Sequence, residues 1–437
     1  MDYAASLDYL HTLGWELRTG AKFGLAQIAA LLTALGEPQR AFAAVHIAGT
    51  NGKGSTAALV ASALGAAGYR PGLYTSPHLE RATERIRVGG AEISPEAFAA
   101  ALTAVQAAIE RLLAGGGLSH PPSFFEALTA AGFWAFRAAA VRIAVVEVGL
   151  GGRLDATNVL APVAAAITAI GMDHERYLGA TLAAIAGEKA GILKPGLVAV
   201  SAPQAPEAEA VLAAAAARAG ARLLPLAALA GTPDMDGEGR FQFTAQYRGQ
   251  PLALHLGLRG RHQVENARTA LGVLEALAAR GWPVSAAQAA RGFAAVQWPG
   301  RLEKVAAAPD IYLDGAHNPA AARVLAAFLA DTGWRPVLVF GAMRDKAIGE
   351  MAEVLFPRAR AVILTATAHP RALSPGALES EVGGNAPQSE TAPDLAAALA
   401  RARVLALAAS PAAPVLIAGS LYLAGAARQL VKSGALV

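Results

Sequence analysis

The stretch "HIAGTNGKGSTAALVASAL", residues 46–64, sets a lysine inside a glycine-rich turn between an apolar run and a helix-forming one. Backbone N–H groups in such a turn can close on a polyphosphate, and the positive end of the following helix adds to the attraction. Lys53 would supply a mobile charge and Ser55 a hydroxyl for phosphate or Mg²⁺. The common spelling of a phosphate loop has the hydroxyl directly after the lysine. Here Gly54 intervenes, so the plain alternative is an ordinary tight turn.

A second set of polar residues follows apolar runs further on. Glu147 closes the run "VRIAVVEVG" and meets another glycine-rich turn, "GLGGRLDATN". A carboxylate at a strand end is where ligands gather in open α/β sheets, although it can also be a helix cap. Asp155 in that turn reads equally well as a turn former. Next comes "GMDHERYLGATLAAIAGEKAGILKPG", with Asp173, His174, Glu188 and Lys189. After a further sheet strand, the imidazole of His174 with Glu147 would make a hard-cation site beside the phosphates, the alternative being a polar turn.

Lys189 is awkward in that setting, because two unit charges about 4 Å apart repel by about 4 kcal/mol at an effective dielectric near 20. Either it is a surface lysine, or burial removes its proton and the neutral amine captures CO₂ to become an anionic carbamate. Beyond residue 296, "YLDGAHNPAA" places Asp314 and His317 at a strand-to-helix turn, and Arg301 lies in "WPGRLE". The segment "RGRHQVENA" adds His262 and Asn266, the latter readable as a helix cap. Polar clusters at element ends in two domains are what a cleft site requires.

The elements that must hold these residues alternate strand and helix. Residues 41–75 read as strand, glycine loop, helix, strand, the unit of a parallel sheet. The runs 141–149 and 162–171 are nearly continuous in apolar residues, as expected for strands buried on both faces. The segment "GRFQFTAQYRGQPLALHLGL" alternates like an antiparallel pair. At 437 residues two domains are expected, and the Trp-Pro pairs around 282–299 place the boundary so that 1–296 is a larger domain carrying the glycine loop and 297–437 a smaller α/β domain.

Composition narrows the classes. The absence of cysteine excludes disulfides, thiolate nucleophiles and Cys-ligated zinc. A net charge of +4 without a Lys/Arg block argues against nucleic acid as a partner. The uncharged run 404–427 is broken by Pro411, Pro414 and Gly419 and reads as helix, strand, helix, not a membrane span. No secretory signal stands at the amino terminus, and a cytoplasmic protein is expected.

The strings "GTNGKGS", "YTSPHL", "ERIRV", "FFEALTAAGF", "EVGLGGRLDATN", "MDHERYLG", "IAGEKAGI", "HQVENA", "PGRLE" and "DGAHNP" follow one another between residues 49 and 319. In this the chain resembles the folylpolyglutamate synthase / dihydrofolate synthase group of the Mur ligase family, whose ATP loop carries the extra glycine. The resemblance implies a P-loop-type, mostly parallel sheet followed by a Rossmann-like glutamate ligase domain. It implies ATP at Gly49, Thr50, Asn51, Gly52, Lys53, Gly54, Ser55, Asn266, Arg301 and Asp314, with His317 reaching the nucleotide as well. One Mg²⁺ would be held by Ser76 and Glu147, a second by His174 and a carbamylated Lys189. Phe23, Gly24, Phe125, Leu154, Asp155 and Ala156 would surround the pterin substrate. Where many relatives carry Asn ahead of "ERI", this chain has Thr83.

The expected activity is ATP-dependent joining of L-glutamate to dihydropteroate, to a reduced folate, or to both, through an acyl phosphate, by a monomer. Lys53, Glu147, His174, Lys189 and His317 would be its catalytic set. One rival is a peptidoglycan-precursor ligase, which carries a sizeable domain ahead of the loop where this chain has 48 residues before Gly49. Another is a P-loop ATPase without ligase activity, which would leave "EKAGI" and "DGAHNP" unexplained.

Overall fold

Residues 1–14, 24–382 and 389–434 are described by a computed structural model. The apolar runs become the centre of a first sheet. Its strands are β1 (Ala43–Ala48), β2 (Gly72–Tyr74), β3 (Ile86–Val88), β4 (Ala91–Glu92), β5 (Ile143–Glu147), β6 (Ala164–Ile167), β7 (Val198–Ser201) and β8 (Arg222–Leu224), in the order β4-β3-β2-β5-β1-β6-β7-β8. Pairing is parallel from β2 through β8, and β3 and β4 add an antiparallel edge. Every residue of β5 and β6 is buried, as continuous apolar runs require when helices cover both faces.

One core gathers Phe98, Leu102 and Val105 of the helix Pro95–Ala114 with Leu128, Phe133 and Phe136 of the helix Phe124–Ala138. Another joins β6 and β7 to Ala186 and Leu212, on the helices Leu182–Ala190 and Pro206–Ala219. The polar ends of β1, β5 and β6 emerge between them as loops 49–52, 148–155 and 168–174.

A three-stranded sheet follows: β9 (Leu229–Met235), β10 (Arg240–Tyr247) and β11 (Gln250–Arg259), ordered β11-β10-β9. The third sheet has β12 (Glu303–Ala306), β13 (Ile311–Leu313), β14 (Val337–Phe340), β15 (Ala361–Leu364), β16 (Ser389–Thr391) and β17 (Val415–Ala418), in the order β12-β13-β17-β14-β15-β16. It is parallel except for β12.

The chain divides into two units. The first holds Met1–Pro233, Phe243–Leu256 and Val264–Val296; the second holds Asp234–Gln242, Gly257–Gln263 and Gln297–Val437. Parts of β9, β10 and β11 thus belong to the second unit, which a single cut in the sequence does not express. Among the described residues one helix, Pro95–Ala114, is long and apolar enough to cross a membrane by length and composition, and it lays Phe98, Leu102, Val105 and Ile109 into the core. The run 404–427 falls on the end of the helix Leu395–Leu407, β17 and the start of the helix Leu421–Lys432.

Candidate active site

β1 ends at Ala48, and the helix Lys53–Ala66 starts straight after the turn. Two glycines make this geometry, Gly49 at φ 150° and Gly52 at φ 86°. A Cβ on Gly49 would meet the Thr168 hydroxyl, and one on Gly52 the Oδ1 of Asn266. The turn is therefore enclosed by the end of β6 and by the helix His262–Ala278. The N–H groups of Thr50 and Asn51 both donate to the carbonyl of Ala169, at 2.9 and 3.1 Å. Thr50 Oγ1 donates to the Gly171 carbonyl at 3.0 Å. Those two residues tie the turn to its neighbour, and the donors that helix geometry leaves without intrahelical acceptors are first-turn amides, those of Lys53 and Gly54. The Lys53 ammonium donates to the Thr50 carbonyl at 3.0 Å, across the turn. Ser55 is 2% exposed.

Lys189 reaches this turn from the helix Leu182–Ala190. Its Nζ donates to the Gly49 carbonyl at 2.8 Å, and the residue is 3% exposed. Burial, and then the nearby Lys53 ammonium, lower its pKa to about 7, against the opposing pull of Asp173 and Asp155. The surface-lysine alternative is excluded by that burial. His174 takes a left-handed backbone, φ 54°, ahead of the short helix Glu175–Leu178. Its N–H donates to Asp173 Oδ1 at 2.9 Å, and its Nε2 lies 3.9 Å from the same oxygen. Asp173, read in the sequence only as part of a polar turn, thus sits between His174 and Lys189 electrostatically. Nothing in residue type or spacing singled it out.

Glu147, 5% exposed, ends β5 and accepts the N–H of Ser76 at 3.1 Å. The parallel register that sets Tyr74 beside Val146 delivers Ser76 to that carboxylate. Among the described residues no three His, Asp or Glu side chains converge on one point. The donor set still fits Mg²⁺, a hard cation bound through one or two carboxylates while most of its ligands are water and phosphate oxygens. Lys189 as an amine donates to Gly49, so it could offer oxygen to a second ion only after carbamylation.

On the other side of Glu147 the Phe125 ring lies where a Cβ of Gly149 would be. Asp155 folds back on this turn. Its Oδ2 accepts the Leu150 N–H at 2.9 Å, and its Oδ1 accepts the N–H of Thr157 at 2.9 Å together with the Thr157 hydroxyl. Burial pushes its carboxyl up, and the donors from Thr157, Leu150 and Gly149 pull it down. Leu154 is half-buried and Ala156 buried beside it. Gly24 is exposed ahead of the helix Ala26–Ala34, with open space where a Cβ would project. Phe23 lies outside the described residues.

Upstream, Glu84 organises the loop after Ser76 by accepting the N–H groups of Leu79, Glu80 and Arg81 at 2.7, 3.0 and 2.9 Å. Thr83 donates to Glu92 Oε2 at 3.1 Å, so the hydroxyl in place of asparagine has a defined partner.

The second unit gathers its own cluster at the end of β13. Asp314 accepts the N–H groups of Leu302 and Ala316 at 3.0 and 2.9 Å. Burial pushes its carboxyl up, and Arg301 foremost pulls it down. Arg301 Nη1 donates to the Gly300 carbonyl at 2.9 Å and lies where a Cβ of Gly315 would be. His317 Nδ1 donates to the Gly315 carbonyl at 2.8 Å.

A parallel sheet with a glycine turn opening onto a helix, a buried lysine on that turn, and a second parallel α/β unit define a ligase of the Mur type. Residues 47–274 match the Mur ligase middle domain and residues 300–421 the Mur ligase glutamate ligase domain. The chain belongs to this family, within its folylpolyglutamate synthase / dihydrofolate synthase group. It is 36% identical to the folylpolyglutamate synthase of Lacticaseibacillus casei over 99% of this chain and 100% of that protein. With the dihydrofolate synthase/folylpolyglutamate synthase of Mycobacterium tuberculosis it shares 38% identity over 82% and 77% of the two chains. Among solved structures, the M. tuberculosis folylpolyglutamate synthase complexed with ADP and AMPPCP aligns with TM-score 0.91 at 38% identity, covering 98% and 99% of the chains. The E. coli FolC complex with DHPP and ADP aligns at 0.86 and 29%, covering 100% and 99%.

Proposed function

We propose that the protein is an ATP-dependent ligase that forms an amide between L-glutamate and the carboxylate of dihydropteroate, of a reduced folate, or of both. The observation that carries this is the convergence of Lys53 and a buried Lys189 on the turn 49–52. A simple ATP-hydrolysing switch has no use for a buried amine held near neutrality.

A carboxylate is a poor electrophile, and its approach to the γ-phosphate brings two anions together. Lys53 and the first-turn amides of the helix Lys53–Ala66 offset that repulsion as the γ-phosphoryl group passes to the carboxylate oxygen and ADP leaves. The resulting acyl phosphate is attacked at carbon by the neutral amine of glutamate. The tetrahedral adduct then expels phosphate, and the amine gives up its proton. Ser76 and Glu147 would hold one Mg²⁺, and His174 with a carbamylated Lys189 a second; bound there, the metal neutralises phosphoryl charge. Phe125 with the residues 154–156 is assigned to the ring of the acceptor substrate. Asn266, Arg301 and Asp314 are assigned to the nucleotide, and His317 to the catalytic set.

Purified protein given ATP, Mg²⁺ and glutamate with either dihydropteroate or tetrahydrofolate should release ADP and yield products heavier by one glutamyl residue. ADP release that continues without glutamate and without any folate substrate would leave the ATPase rival standing instead.

A further inference from the structure

His46 lies in the middle of β1, fully buried, between Val146 and Ala165 on the flanking strands. Its Nε2 is 2.8 Å from the hydroxyl oxygen of Thr157, itself fully buried. That hydroxyl also reaches Oδ1 of Asp155. A threonine hydroxyl has one proton to give. An ionised Asp155 can only accept, so the proton goes to the carboxylate and the oxygen accepts from His46 Nε2–H. Nδ1 then carries a bare lone pair, and among the described residues no hydrogen-bond partner reaches it. Burial, and then the charge of Lys194, keep the ring neutral, with its pKa lowered to about 3.

An orphaned buried acceptor is costly. A phenylalanine or leucine would fill this strand position without one. What the imidazole contributes is the direction of the Thr157 proton. Asp155 takes that proton together with the N–H groups of Thr157, Leu150 and Gly149, which accounts for about the four acceptor positions a carboxylate has. The carboxylate is therefore committed to its own loop. It fixes the turn at Gly149 and Leu150, against which the Phe125 ring lies.

We propose that His46 is a positioning residue for the acceptor substrate: its neutral imidazole holds the Thr157 hydroxyl on Asp155, which fixes the Gly149–Leu150 turn behind the Phe125 ring, the seat of a flat heteroaromatic ring. The strand that leads into the nucleotide turn thereby also sets the wall of the substrate site. This rests on the assignment of Phe125 and residues 154–156 to the acceptor substrate.

The test is steady-state kinetics on the full chain. His46→Phe should raise KM for the pteroate or folate substrate by about tenfold, the scale of one lost hydrogen bond, and leave KM for ATP within about twofold. His46→Gln, whose amide can donate to the hydroxyl, should recover most of the loss. Thr157→Val, which keeps volume and removes the relay atom, should reproduce the His46→Phe effect and make it non-additive in the double variant. Phe125→Ala is the control on the underlying assignment. If it leaves the folate KM unchanged, the assignment fails and takes the proposal with it. If it raises that KM while His46→Phe and Thr157→Val do not, or if those variants raise both KM values equally, the positioning role alone is overturned.

Discussion

The ammonium of Lys189 lies 2.8 Å from the carbonyl oxygen of Gly49, so a side chain from the helix Leu182–Ala190 closes directly on the first residue of the glycine turn. Burial foremost, and then Lys53 on the same turn, disfavour a second full positive charge, and the lowered pKa of about 7 is the consequence. A large fraction of Lys189 is then neutral amine above neutrality, the form that reacts with CO₂.

Lys189→Met keeps the volume and removes the nitrogen. Ligase turnover, read as ADP release that needs both folate substrate and glutamate, should fall by about a hundredfold or more, since the ligand proposed for the second Mg²⁺ is lost. The melting temperature should hold or rise, because a costly buried amine has gone. Wild-type protein equilibrated with ¹³C-bicarbonate should show a carbamate resonance that the variant lacks. Unaltered turnover in Lys189→Met would remove this residue from the chemistry.

Gly52→Ala tests the turn itself. The backbone at φ 86° disfavours any side chain, and the new Cβ would run into Asn266 Oδ1. Binding of a non-hydrolysable ATP analogue, measured by calorimetry, should weaken by about tenfold or more, with about 1–3 kcal/mol of stability lost to backbone strain. Asn266→Ala in the same chain removes the collision and not the strain, so it should restore only part of the lost stability, read by thermal melting. Complete restoration would show that crowding alone was at fault.

Much of this arrangement is legible in the residues. β6 is a continuous apolar run, β5 is one up to its terminal Glu147, and β1 is one apart from His46, each followed within a few residues by glycine, and two-sided burial favours that pattern. The alternating pair becomes β10 and β11, whose burial alternates residue by residue. β9 escapes because "LAGTPDM" is mostly exposed and carries Gly and Pro, so it has neither period nor propensity. The edge strands β3 and β4 are too short to show a period. Among site residues, Lys53 is marked by its glycines, whereas the burial of Lys189 is a tertiary fact that a helical lysine does not announce. His46 and Thr157 are 111 positions apart and meet only because β1 runs beside the turn that follows β5.

Glu84→Ala should loosen the loop after Ser76. One carboxylate satisfies three consecutive amides, Leu79, Glu80 and Arg81. Without it those amides must turn to water, and charge-assisted bonds of this kind are worth about 1.5–3 kcal/mol each when buried, less at this half-exposed position. Hydrogen exchange at residues 79–81 should quicken by about tenfold or more while the strands β1, β5 and β6 keep their protection. Uniform quickening across the first sheet would mean that Glu84 supports the whole unit and not the loop.

Acid should expose His46. Its folded pKa is lowered from 6.5 to about 3, and the ring is fully buried. At a pH of about 7.5 or higher the ring is largely neutral in both folded and unfolded chains and adds little pH dependence. As pH falls below that value, the unfolded chain takes up a proton that the folded chain refuses, so stability drops by up to about 1.4 kcal/mol per pH unit until the folded ring titrates near its lowered pKa. His46→Gln has no such proton to refuse. In denaturant melts the stability gap between wild type and this variant should therefore shift in the variant's favour by about 2 kcal/mol between pH about 6.5 and about 4.5. Other acid-sensitive groups are common to both proteins and cancel in the comparison. A gap that stays constant over this range would mean that His46 titrates alike in the folded and unfolded chains, and that water reaches the imidazole inside β1.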